Sequence, residues 1–113
     1  MTSNEVFDSQ VNSDGSLAGV YEYEDDVGYF YLYDLARPEG QKIIGAIRVL
    51  VGSVHYAVKD LSIRWSDGDV FVGLFIENRL CAAFKVDSCE AFGGEFEKNS
   101  LIPESIKNSF RRH

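Results

Sequence analysis

The chain has 113 residues, a formal net charge of -7, 45% hydrophobic residues, 26% charged residues and two cysteines. That is enough chain and apolar content for one domain, residues 1–113, to bury a core without staples, and it excludes global disorder. The start, MTSNEVFDSQ, has neither a basic flank nor an apolar run, and no segment reaches the roughly 18–20 apolar residues of a membrane span, so the expectation is a cytoplasmic protein without membrane contact.

The acidity is uneven. Residues 1–41 hold Glu5, Asp8, Asp14, Glu22, Glu24, Asp25, Asp26, Asp34 and Glu39 against Arg37 alone, whereas residues 42–113 are nearly balanced. Such a field repels nucleic acid phosphates and favours a basic partner surface, besides keeping the chain soluble.

Residues 1–4 are expected to be flexible, and Glu5 to Val11 reads as a short edge strand. It ends in the turn cluster Asn12-Ser13-Asp14-Gly15-Ser16. Leu17 to Glu24 and Tyr29 to Leu35 then form a hairpin around Asp25-Asp26-Val27-Gly28. Tyr21, Tyr23, Tyr29, Tyr31 and Tyr33 all fall on odd positions, and side chains two apart share a strand face. Pairing Tyr23 with Tyr29 sets Tyr21 opposite Tyr31 and stacks tyrosines across the strands, at roughly 0.2–1 kcal/mol per pair. The opposite face then holds Val20, Phe30 and Leu32 with Glu22 and Glu24. Either the tyrosines cover the core with their hydroxyls at the rim, or they form an open platform ringed by Glu22, Glu24, Asp25 and Asp26. A register shift of one residue separates this ladder.

Arg37-Pro38-Glu39-Gly40 is a loop. Lys42 to Val51 fits a helical stripe at 43, 44, 47, 50 and 51, but Gly45 and the β-branched residues favour a strand; a helix here makes the fold α+β. Asp60 to Ser66 alternates, with Leu61, Ile63 and Trp65 on one face. Val70 to Ile76, VFVGLFI, lacks both charge and clean alternation, which predicts a central strand covered on both sides. A turn at Glu77-Asn78-Arg79 returns the chain as a strand over Leu80 to Val86. Residues 87–94 read as loop, with Phe92 and Phe96 as anchors. From Ser100-Leu101-Ile102-Pro103 a helix begins, with Ile102, Ile106 and Phe110 as its apolar stripe and Arg111 and Arg112 at its negative end. The expected fold is mainly β: an antiparallel meander of six or seven strands in an open barrel or sandwich, with one C-terminal helix laid over the sheet.

Asp14-Gly15 and Asp67-Gly68 each follow a serine and precede a strand, which reads as shared turn chemistry and not as a duplication. The inventory for catalysis is thin. His55 is the sole internal histidine and reads as a packed or surface residue, no nucleophile, metal or phosphate-loop motif occurs, and Asp67 and Asp69 lack the further ligands of a calcium loop. Cys81 reads as a small core hydrophobe and Cys89 as a loop residue, without a disulfide or zinc site. No cofactor, metal or catalytic residue is expected, and nucleic acid binding is disfavoured by the acids around the tyrosines.

The segments Tyr29-Phe30-Tyr31-Leu32-Tyr33-Asp34, Trp65-Ser66-Asp67-Gly68, Val72-Gly73-Leu74-Phe75-Ile76 and Ala83-Phe84 resemble a small family of uncharacterised bacterial proteins defined by a domain of unknown function. The resemblance spans about residues 15–86, with Lys85 where the family has an acid. It implies a bacterial, cytosolic, single-domain protein and no activity. The functional expectation is a non-enzymatic module presenting the tyrosine hairpin to a basic protein, as a toxin-neutralising immunity protein does. The alternative is a ligand-binding or sensing domain whose tyrosines line a pocket between sheet and helix, and His55 beside a carboxylate in a cleft would mark an enzyme.

Overall fold

The computed structural model describes residues 6–24, 27–51, 61–94 and 102–110. The expectations for residues 1–4, Asp25 and Asp26, His55, Phe96, and Arg111 and Arg112 lie outside these residues.

Among the described residues, eight strands form two antiparallel sheets of four, each a simple meander. The first sheet is β1 (Val6–Val11), β2 (Leu17–Glu24), β3 (Val27–Asp34) and β4 (Ile43–Val51). The second is β5 (Leu61–Trp65), β6 (Phe71–Ile76), β7 (Arg79–Lys85) and β8 (Glu90–Gly93), followed by the short helix α1 (Glu104–Asn108). The mainly β, antiparallel expectation holds, with eight strands among the described residues where six or seven were expected. Residues 43–51 are strand and not helix, as the glycine and β-branched content favour. β8 falls where the sequence reads as loop. It is a four-residue edge strand in which Phe92 alone is a large apolar side chain, too little alternation to register as a strand.

Inner faces of both sheets share one core. Tyr21, Phe30, Leu32 and Val49 of the first meet Val72, Leu74, Ile76 and Phe84 of the second, and all eight are essentially without solvent contact. Each stabilises the fold by about 1.5–3 kcal/mol relative to exposure. Phe30 and Phe84 touch ring to ring across the sheets at 5.4 Å. β6 is buried from Val72 to Ile76, as its uninterrupted apolar run predicts. In β7, Leu74 pairs with Ala82 and Phe75 with Leu80, so Cys81 is an extra bulge residue, and it packs into the core. Burial there pushes its thiol up to about 11. Both described cysteines are free.

The two meanders share the sequence of their first turn. Each has a Ser-Asp-Gly turn before its second strand, and the β6–β7 hairpin closes through Glu77 and Asn78, both at positive φ, as a two-residue type I′ turn requires. The two Ser-Asp-Gly turns touch: Ser13 donates its backbone N–H (3.1 Å) and its hydroxyl to the carboxylate of Asp69. Beside them Trp65 donates its indole N–H to the Gln10 carbonyl at 3.1 Å, tying β5 to β1. Among the described residues no helix is long and apolar enough to cross a membrane.

Candidate functional site

The β2–β3 register differs from the expected one by a single residue. Tyr21 lies opposite Phe30, Glu22 opposite Tyr29, Tyr23 opposite Gly28, and Glu24 opposite Val27. Because strand faces alternate, that shift divides the five tyrosines between opposite faces. Tyr21 and Tyr23 point inward with Phe30 and Leu32, at 0% and 4% exposure. Tyr29, Tyr31 and Tyr33 lie half-buried on the outer face, in rungs with Glu22, Val20 and Ala18.

Desolvation is the physical reason. Glu22 and Glu24 alternate with Tyr21 and Tyr23, so the expected register would have set two carboxylates on the face that Phe30 and Leu32 must bury, at a cost of several kcal/mol per unpaired charge. The observed one sends Glu22 outward to the tyrosines, where its carboxylate is exposed. Gly28 completes the arrangement, since a Cβ there would sit 2.6 Å from the Tyr21 hydroxyl oxygen. The space that admits the phenol is the missing side chain.

On the outer face the tyrosines stack along β3 and not across strands. The rings of Tyr29 and Tyr31 lie 5.6 Å apart and 12° from parallel, and Tyr33 meets Tyr31 edge-on at 6.1 Å. Val20 and Ala18, beside Tyr31 and Tyr33, are buried despite facing outward. Register with β4 adds Arg48 next to Tyr29, Ala46 next to Tyr31 and Ile43 next to Tyr33. Ile43 and Val11, at the two margins of this face, are 49% and 55% exposed. The hydroxyls of Tyr31 and Tyr33 are held above the usual tyrosine range, first by partial burial and then by the negative charge of Glu22, with Glu39 adding to the effect on Tyr33. Both are neutral hydrogen-bonding groups at physiological pH.

Of the nine residues singled out from the sequence, the structure brings together Tyr29, Tyr31, Tyr33 and Glu22 and turns Tyr21 and Tyr23 into the core. Glu24 pairs with Val27 at the hairpin end of β2. Val20, Ile43 and Arg48 join the surface without having been assigned to it, because only the register reveals which residues flank the row. The helix takes no part. Ile102 and Ile106 are buried and Phe110 packs edge-on against Phe75 at 5.3 Å, all on the outer face of the second sheet. Among the described residues the helix and the outer tyrosine row therefore lie on different sheets.

The chain matches no family model, no curated protein and no solved structure. The resemblance to a family of uncharacterised bacterial proteins thus rests on the quoted residues alone.

Proposed function

We propose that the chain is a cytoplasmic, non-enzymatic interaction module that holds a basic protein against the outer face of its first sheet. The observation that carries this reading is the row Tyr29, Tyr31, Tyr33, stacked along β3 with the exposed carboxylate of Glu22 beside it. Stacked tyrosines give rigid contact area that loses little entropy on binding, and each retains a hydroxyl for a hydrogen bond. Glu22 and the acid-rich first third of the chain accelerate encounter with a positively charged surface. An immunity protein that neutralises a basic toxin is one protein of this kind.

The test is affinity capture from the host lysate with wild type, a Tyr29→Ser/Tyr31→Ser variant and Glu22→Lys, each checked for folding by circular dichroism. A basic protein held by the wild type and lost by both folded variants supports the reading. A protein held equally by all three places the contact elsewhere and ends it.

A further inference from the structure

Across β3, the outer face of the first sheet carries opposite charges on one rung: Glu22 on β2 and Arg48 on β4 flank Tyr29, two strand spacings or about 10 Å apart. Both are exposed. Between and below them the surface is tyrosine, alanine, valine and isoleucine. A two-fold axis running along β3, in the plane of contact, exchanges left and right while keeping each rung at its height. It therefore brings Glu22 of one copy over Arg48 of the other, twice, and lays the two tyrosine rows together. A single surface that is its own complement under a two-fold is what an isologous dimer needs. The chain's other sheet shows that such a face accepts a cover: there Phe71, Phe75 and Phe92 are closed by Ile102, Ile106 and Phe110, with the Arg64 guanidinium 4.2 Å from the Phe75 ring centre.

We propose that the outer face of the first sheet closes on a second copy of the chain, with two reciprocal Glu22–Arg48 contacts around the paired tyrosine rows. This rests on the reading of that face as a contact surface and adds a competing occupant, so that self-association and the basic partner exclude each other. The part of the face between Glu22 and Arg48 is three strands or about 14 Å wide and, from Val27 to Tyr33, about 20 Å long. Its footprint of about 300 Å² per copy falls below that of standard specific pairs and makes the dimer weak. Net charges of -7 on each copy oppose approach at low ionic strength and are screened beyond about 8 Å at 0.15 M salt.

The experiment is sedimentation equilibrium of the full chain at about 0.15 M salt, up to about 1 mM protein, for wild type, Glu22→Arg, Arg48→Glu and an equimolar mixture of the two variants. Both substitutions are at exposed positions, and circular dichroism verifies the fold. Wild type dimerises, each single variant sets like charges opposite each other twice and weakens association about tenfold or more, and the mixture regains it as a heterodimer. A wild type that stays monomeric at the highest concentration overturns the proposal, as does a dimer indifferent to both reversals or a mixture that fails to recover. A monomer that still captures a basic protein through Tyr31 leaves the functional reading standing without the dimer. A dimer with the rescue pattern but no captured protein does the reverse.

Discussion

The outer face of the second sheet carries Phe71, Phe75, Leu80, Ala83 and Phe92, and the chain's own Ile102, Ile106 and Phe110 lie over it. The matching face of the first sheet carries Tyr29, Tyr31 and Tyr33 with Val20, and no described element lies on it. Both sheets are four-stranded meanders whose first turns share the Ser-Asp-Gly sequence, and the two outer faces differ in their side chains. Phenylalanine offers water nothing and must be covered from within. Tyrosine covers Val20 and Ala18 with its ring and keeps its hydroxyl at the solvent boundary, so its face is stable uncovered and ready for an outside partner. Gly73 marks the covered face in the backbone itself, since a Cβ there would lie 2.9 Å from the Phe110 ring. The helix approaches because that strand makes room for it.

The sharpest way to break this comparison is within one pair of tyrosines. Tyr21→Ala empties a fully buried site and is expected to cost about 3–5 kcal/mol, whereas Tyr31→Ala loses partial cover and ring stacking and costs about 1 kcal/mol. Urea midpoints separate the two, and equal losses would erase the distinction between inner and outer tyrosines. On the second sheet, Ile106→Ala removes the buried centre of the helical cover; the expected loss is about 2 kcal/mol or more, with a rise in dye binding to the uncovered phenylalanines. No comparable rise follows Tyr31→Ala if its face is already open. Gly28→Ala forces the Tyr21 phenol from its slot and is expected to cost about 1–3 kcal/mol, read as a lower thermal midpoint.

Smaller in effect, and specific in pH, are the groups whose ionisation is opposed by the fold. Cys81 has its folded value raised above the unfolded one, so its contribution is complete below about pH 9. It fades as pH climbs through about 11. Tyr31 and Tyr33 are raised too, so their share is complete below about pH 10 and is lost above it. Stability measured from pH 7 to 11.5 should therefore decline in two stages. Cys81→Ala removes the first and Tyr31→Phe with Tyr33→Phe diminishes the second; an unchanged profile in both variants would show that these groups are not desolvated as described.

Much of the architecture was legible because single segments specify it. VFVGLFI reads as a strand buried on both faces and is one from Val72 to Ile76, with Val70 outside it at 45% exposure. Ile102, Ile106 and Phe110 mark out the cover, although the helix itself spans only Glu104–Asn108 and holds Ile106 alone of the three. The two Ser-Asp-Gly turns were visible as well, though not that Ser13 and Asp69 join them, since that contact bridges residues 56 apart in sequence. β8 was hidden by its brevity. For the candidate site the residue types were legible and their faces were not, because the division of the tyrosines depends on one residue of register across a hairpin. A signal for that register existed in Glu22 and Glu24: carboxylates alternating with Tyr21 and Tyr23 already assign those tyrosines to the buried face, against Phe30 and Leu32 of the next strand.

Cross-strand nuclear Overhauser contacts along β2 and β3 test that division directly. The account predicts backbone contacts linking Glu22 with Tyr29 and Val20 with Tyr31, and side-chain contacts from the Tyr21 ring to Phe30. Backbone contacts linking Tyr23 with Tyr29 and Tyr21 with Tyr31 would put all five tyrosines on one face and contradict it.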